Sequence, residues 1–125
     1  MRESGESLLG LVTIGQSPRD DVLPQMLPFL PEAVGIRQAG ALDGLSREQL
    51  ANLRPGPGDY VLHTRLRDGS AVTVSRERIV SLLQRCIGEL EDGGANPILL
   101  LCTGEFPSLR SRALLVELLR LRETK

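Results

Sequence analysis

Two apolar runs, Leu8–Ile14 and Ile98–Leu101, lack the polar alternation of a half-exposed strand. Unbroken runs of this length predict strands buried on both faces, as in a parallel sheet covered above and below by helices. The first closes at Gly15 and the second at Cys102-Thr103-Gly104. Ala33–Ala39 is a third, weaker strand candidate. In the middle of the chain Val61, His63, Arg65 and Arg67 alternate with Tyr60, Leu62, Thr64 and Leu66, and a second β-rich run, Ala71–Val74, follows Asp68-Gly69. Asp-Gly between two such runs predicts a hairpin with one packed and one polar face, set at a sheet edge or projecting from it.

Helical spacing fills the intervals. Ile79, Leu82, Leu83, Cys86, Ile87 and Leu90 form one apolar stripe, with Ser75 to cap its start and Gly93-Gly94 to stop it. Ser46-Arg47-Glu48-Gln49 is a capping box for a short helix that ends before the Pro- and Gly-rich turn Arg54–Gly58. After the first strand, Ser17 and Pro18 suit an N-cap and a first helical position, with Asp20 completing an acidic capping box. Pro24 and Pro28 keep that helix short or kinked. A last helix is expected from Ser108 through Leu121, and Leu114, Leu115, Val116, Leu118 and Leu119 spread its apolar surface over more than one face. Such a helix needs cover on both sides, from a partner subunit or from further chain.

The order of elements predicts a single α/β domain over residues 1–125. It is a doubly wound, mostly parallel sheet with an inserted β-hairpin. Hydrophobic content of 41% suits a globular domain, but it is almost wholly aliphatic, with Phe29, Tyr60 and Phe106 the aromatics. Together with a formal net charge of −1, that argues against a nucleic-acid binder working by phosphate contacts or base stacking. No apolar stretch has the length of a membrane span, and Met1–Ser7 lacks the basic-then-apolar order of a signal peptide. Cys86 lies on the apolar helical stripe and reads as a buried free thiol, so a reducing, cytoplasmic location is expected. His63 is the single histidine, and without clustered partners it implies no metal site.

Open α/β sheets bind ligands beyond the carboxyl ends of their strands. Cys102 stands at such an end, close before the expected helix, where unpaired amides would favour the thiolate. Thr103 adds a hydroxyl, and Gly104 leaves the backbone free to turn toward a ligand. The loop Gly15–Arg19 follows the other buried strand, so Gln16, Ser17, Arg19 and its amides form a candidate site for a carboxylate or other anion. Its spacing is neither a Walker nor a dinucleotide fingerprint, and no cofactor is implied. Arg65 and Arg67 on the hairpin are candidates to reach over that edge. Asp43 is a turn residue first, and a ligand contact only if the second strand ends beside the first.

Four segments in order, Gly10–Val22, Ala39–Leu45, Thr64–Gly69 and Leu99–Pro107, resemble the AroM family, which lies near the aspartate/glutamate racemase superfamily. A typical AroM member is nearly twice as long, so the resemblance implies the N-terminal half of a two-domain protein with a flavodoxin-like sheet. In the related racemases each half supplies one strand-end thiol. The resemblance therefore implies that Cys102 is the thiol of the first half and that the second comes from a later segment or a partner.

Three functions stand side by side at this point. One is isomerase- or racemase-like acid–base chemistry beside the carboxylate of a small acid, with Cys102 as the acid/base. Another is a non-catalytic small-acid or anion-binding module using the same edge. The third is an interaction protein using the C-terminal helix, as a homo-oligomer or with the missing half.

Overall fold

The computed structural model describes residues 7–19, 23–26, 28, 34–101, 106 and 108–117. Its elements are β1 (Ser7–Thr13), α1 (Leu23–Met26), β2 (Val34–Gly40), α2 (Arg47–Ala51), β3 (Val61–Arg65), β4 (Ala71–Ser75), α3 (Arg76–Asp92), β5 (Ile98–Leu101) and β6 (Leu115–Glu117). The main sheet has the order β2-β1-β5-β6, and all three pairings are parallel. β3 and β4 form a separate antiparallel pair. The fold is thus α/β with an inserted hairpin, as the pattern of apolar runs predicts.

Alternate side chains of the central strands feed two cores, because neighbouring residues on a strand point to opposite faces. Val12, Ile14, Ile98 and Leu100 join Ile79, Leu83, Ile87 and Leu90 of α3 on one face. Leu9, Leu11 and Leu101 point the other way, where Leu23 of α1 packs against them. Gly10 sits where α3 ends: a Cβ there would lie 3.1 Å from the Ala95 Cβ and 3.2 Å from Leu90. Its lack of a side chain lets the helix end close on the strand.

Capping follows the sequence closely in two helices. Ser46 accepts from the Gln49 amide and the Gln49 side chain accepts from the Ser46 amide, so the capping box of α2 is complete. Ser75 caps α3, and Gly94 adopts φ +92 just past its end. In the hairpin, Leu62 and Thr64 are buried while Val61, His63 and Arg65 face outward. No helix among the described residues is long and apolar enough to cross a membrane.

One expected element is different. The segment after Ser108 is not helical through residue 117: it is a loop, then the edge strand β6 beside β5. Leu114-Leu115-Val116 is too short an apolar run for its period to separate strand from helix. The outer edge of β5 decides it, because its backbone groups require partners. The Ile98 amide donates to the Leu114 carbonyl at 2.8 Å. Glu91 of α3 holds the approach to β6, accepting from Ser111 Oγ at 2.9 Å, from the Ala113 amide at 3.0 Å and from the Arg112 amide. Residues 118–125, the rest of the expected helix, lie outside the described residues, and an interaction face on that helix loses its basis over residues 109–117.

Candidate functional site

Without the hairpin, the main strands run 2-1-3-4 in chain order, so the topological switch falls between β1 and β5. Ligands of open α/β sheets bind at the carboxyl side of that point. The loop Gly15–Arg19 leaves β1 there. Leu101, the last residue of β5, is in register with Thr13, the last residue of β1. Cys102 is the next residue in the chain; it, Thr103 and Gly104 lie outside the described residues.

The loop is built from its neighbours upward. Thr13 Oγ1 accepts from the Gly15 amide at 3.1 Å. The turn after β2 clamps it from the side, with the Ala41 amide on the Thr13 carbonyl and the Leu42 amide on the Gly15 carbonyl, both at 2.9 Å. Ala41 and Leu42 are fully buried, although their sequence reads as loop.

Asp43, in the same turn, is the central acceptor. Its carboxylate takes the Ser17 amide at 2.8 Å, the Ser17 hydroxyl at 2.5 Å and the Gly40 amide at 2.8 Å. The Ser17 hydroxyl thus donates to Asp43, and the Leu23 amide donates to the Arg19 carbonyl at 3.0 Å, while the amides of residues 20–22 that a cap at Ser17 would serve lie outside the described residues. A hydroxyl has one proton to donate, and here it goes to the carboxylate, the stronger acceptor. Asp20, the third member of the expected capping box, lies outside the described residues.

The hairpin closes over this loop. Gly15 packs against its backbone: an added Cβ would collide with the Arg65 carbonyl and lie 2.5 Å from Thr64 Oγ1. The Gln16 side chain accepts from the Arg67 amide at 2.6 Å, and the Gln16 amide donates to the Arg65 carbonyl at 3.4 Å. Arg67 donates from Nε and from one terminal nitrogen to the Ser17 carbonyl, at 2.8 and 2.5 Å, with Asp43 at 3.6 Å.

These contacts leave a cavity of about 450 Å³ between loop and hairpin, lined by Gln16, Pro18, Arg19, Arg65, Leu66, Arg67 and Gly69. Three guanidinium-bearing residues line it, and no carboxylate does among the described residues. Of the site candidates named from sequence, Gln16, Arg19, Arg65 and Arg67 line the cavity, whereas Gly15 and Ser17 do not line it but hold its walls together.

The loop amides are a different matter. Those of Gly15, Gln16, Ser17 and Arg19 donate to Thr13, Arg65, Asp43 and Gln38 respectively. The loop amides of the expected anion site are therefore already bonded within the protein, and the charged groups that line the cavity are arginine side chains. Arg65 spends one donor on the Gly69 carbonyl at 2.9 Å, and Arg19 reaches Thr13 Oγ1 at 3.3 Å. The Asp43 anchor and the Arg67 grip on Ser17 escape sequence reasoning, because both join residues more than twenty positions apart.

The remaining sequence candidates fall elsewhere. His63 lies on the outward face of β3 and lines a second groove beside α2. Cys86 is a buried free thiol, and burial among apolar side chains pushes its pKa up to about 11.

Comparison with protein families matches the chain to the AroM protein model over residues 9–123. The chain belongs to the AroM family. No curated protein and no solved structure matches it.

Proposed function

We propose, from AroM-family membership and the crevice under the hairpin, that this protein binds a small carboxylic acid and performs racemase- or isomerase-like proton transfer beside its carboxylate. The observation that carries the reading is the cavity lined by Arg19, Arg65 and Arg67 at the carboxyl side of the switch between β1 and β5. Guanidinium groups suit a carboxylate in geometry and in charge. Gln16 supplies a neutral polar group on the same wall.

Cys102 is the acid/base in this reading. It follows Leu101 directly, and Leu101 is in register with the strand end from which the arginine-bearing loop departs. A thiolate removes the proton from the carbon next to the bound carboxylate, and the electron pair passes into the carboxylate as an enediolate. Thr103 and the Gly104 backbone serve that developing charge together with the arginines. Return of a proton from the opposite face inverts the centre, so a second acid is required. It comes from further chain or from a partner subunit. A free Cys86 thiol fits the reducing, cytoplasmic setting such chemistry needs.

The test is solvent-deuterium incorporation at the α-carbon of a panel of small 2-amino and 2-hydroxy acids, followed by NMR with the wild type and with Cys102→Ser. Exchange that Cys102→Ser abolishes while acid binding persists supports the reading. Binding without exchange in the wild type, also in the presence of any co-purifying partner, reduces the function to an acid-binding module. Absence of binding overturns both.

A further inference from the structure

The second hairpin strand has an unclaimed edge. The Leu66 amide donates to the Ser70 carbonyl at 2.9 Å and the Gly69 amide to the Leu66 carbonyl at 2.9 Å, with Gly69 at φ +91. This fixes Leu66 and Ser70 as a hydrogen-bonded pair. Alternation along an antiparallel ladder then makes Thr64/Val72 and Leu62/Val74 the bonded pairs. The backbone groups of Ala71, Thr73 and Ser75 point away from β3. Ser75 confirms the parity, because its amide donates outward to the Leu53 carbonyl at 2.7 Å. Those of Ala71 and Thr73 meet no partner among the described residues, and both residues are exposed.

Beside this edge runs a groove of about 630 Å³ between β4 and α2. Half-buried Leu50, Leu66 and Val72 give it an apolar floor, and exposed Arg47, Arg54 and His63 stand around it. Among the described residues no carboxylate lines it, and neither Arg47 nor Arg54 makes an ion pair with any of them. Arg47 opens α2 and Arg54 follows its end, so the two cations sit at opposite ends of the helix, about 10 Å apart along its axis.

We propose that this groove binds an extended acidic peptide segment of a partner protein, which adds to the free edge of β4 as a third strand. Ala71 and Thr73 offer two N–H and two C=O groups, enough to hold about four or five residues in register. Alternate apolar side chains of the segment enter the Leu50–Leu66–Val72 floor. Its carboxylates face Arg47 and Arg54. A second copy of this chain is the poorer occupant, because pairing two such edges brings both sets of arginines together. The groove shares only Leu66 with the acid crevice, which lies along the β3 side of the hairpin, and the proposal stands or falls independently of that reading.

The probe is a fluorescein-labelled peptide, acetyl-Glu-Val-Asp-Val-Glu-amide, titrated with the full chain by anisotropy and followed by amide exchange at Ala71 and Thr73. Expected are saturable binding, protection of both amides, and affinity reduced about tenfold by Arg47→Glu combined with Arg54→Glu. A peptide with lysine in place of its acids, or with N-methylated backbone positions, binds at least about tenfold more weakly. Both controls leave the protein itself unaltered, so folding of the variant is not at issue. Three results each overturn the proposal: no binding, binding with the two amides left unprotected, and protection that rises with protein concentration in the absence of peptide, the mark of a second copy on the edge.

Discussion

The carboxylate of Asp43 binds Ser17 twice, at its amide (2.8 Å) and at its hydroxyl (2.5 Å), across a separation of 26 residues. The turn after β2 is thereby tied to the loop after β1. Arg67 reaches in from the hairpin to the Ser17 carbonyl and to Asp43 itself. Three segments meet at one serine, and the arginine-lined crevice lies between two of them, the loop and the hairpin.

Asp43→Ala leaves the Ser17 and Gly40 amides without their acceptor and removes the countercharge beside Arg67. The expected loss is about 1.5–3 kcal/mol in urea unfolding, the range for hydrogen bonds to a charged group. Asp43→Asn recovers only part of it, because one acceptor oxygen becomes a donor facing donors.

Gly15→Ala tests the closure of the hairpin. The new Cβ strikes the Arg65 carbonyl and Thr64 Oγ1, which belong to a strand and do not swing aside. Thermal unfolding should show a loss of about 1–3 kcal/mol, the cost of overpacking, and the proposed carboxylate site should weaken as the hairpin lifts. Gly10→Ala meets only side-chain carbons at 3.1–3.2 Å and should cost less.

Glu91 makes the attachment of β6 sensitive to acid. The Ala113 amide, with smaller contributions from Ser111 and Arg112, holds its carboxyl below the ordinary value of 4.5. A depressed carboxyl pKa means that the unfolded state binds the proton more readily. The stabilisation is therefore complete above about pH 4.5 and disappears as pH falls through the lowered folded-state value. Amide-exchange protection of Ile98, which donates to Leu114, should decline in that acid range in the wild type and be insensitive to it in Glu91→Gln.

Much of this architecture is legible in the sequence, and the boundary is physical. β1, β5 and α3 announce themselves because burial imposes a run or a period on many residues at once. The capping box at Ser46 and the hairpin turn at Gly69 are local, so their signals lie within a few positions. Ser17 shows the limit: its neighbours suggest a cap, and nothing near it in sequence announces the distant carboxylate to which its hydroxyl donates. Leu42 is read as loop because its burial comes from elements that the chain contributes later. β6 fails for a different reason, since three strand residues carry no period of their own and are placed by the unpaired edge of β5. The cavity beneath the hairpin was legible as an edge and as residue types. That the loop amides are spent on internal partners, leaving arginine side chains to line the cavity, required the three-dimensional contacts.

Cys86 should be chemically silent. With its pKa raised to about 11, chiefly by burial, almost no thiolate exists at neutral pH. Iodoacetamide at pH 7 should leave Cys86 unmodified in the folded protein and label it in urea, read by peptide mass spectrometry. Cys86→Ala should leave the rate of labelling at Cys102 unchanged.

The most direct measurement is an NMR titration of the protein with a small carboxylate, succinate or lactate, read at the amides of Gln16 and Arg67 and at the arginine Nε–H groups. Saturable shifts confined to the loop after β1 and the facing hairpin, lost in the Arg19→Ala, Arg65→Ala double variant, are the predicted result. Shifts that survive that variant, or that gather on another face of the sheet, would contradict a carboxylate site beneath the hairpin.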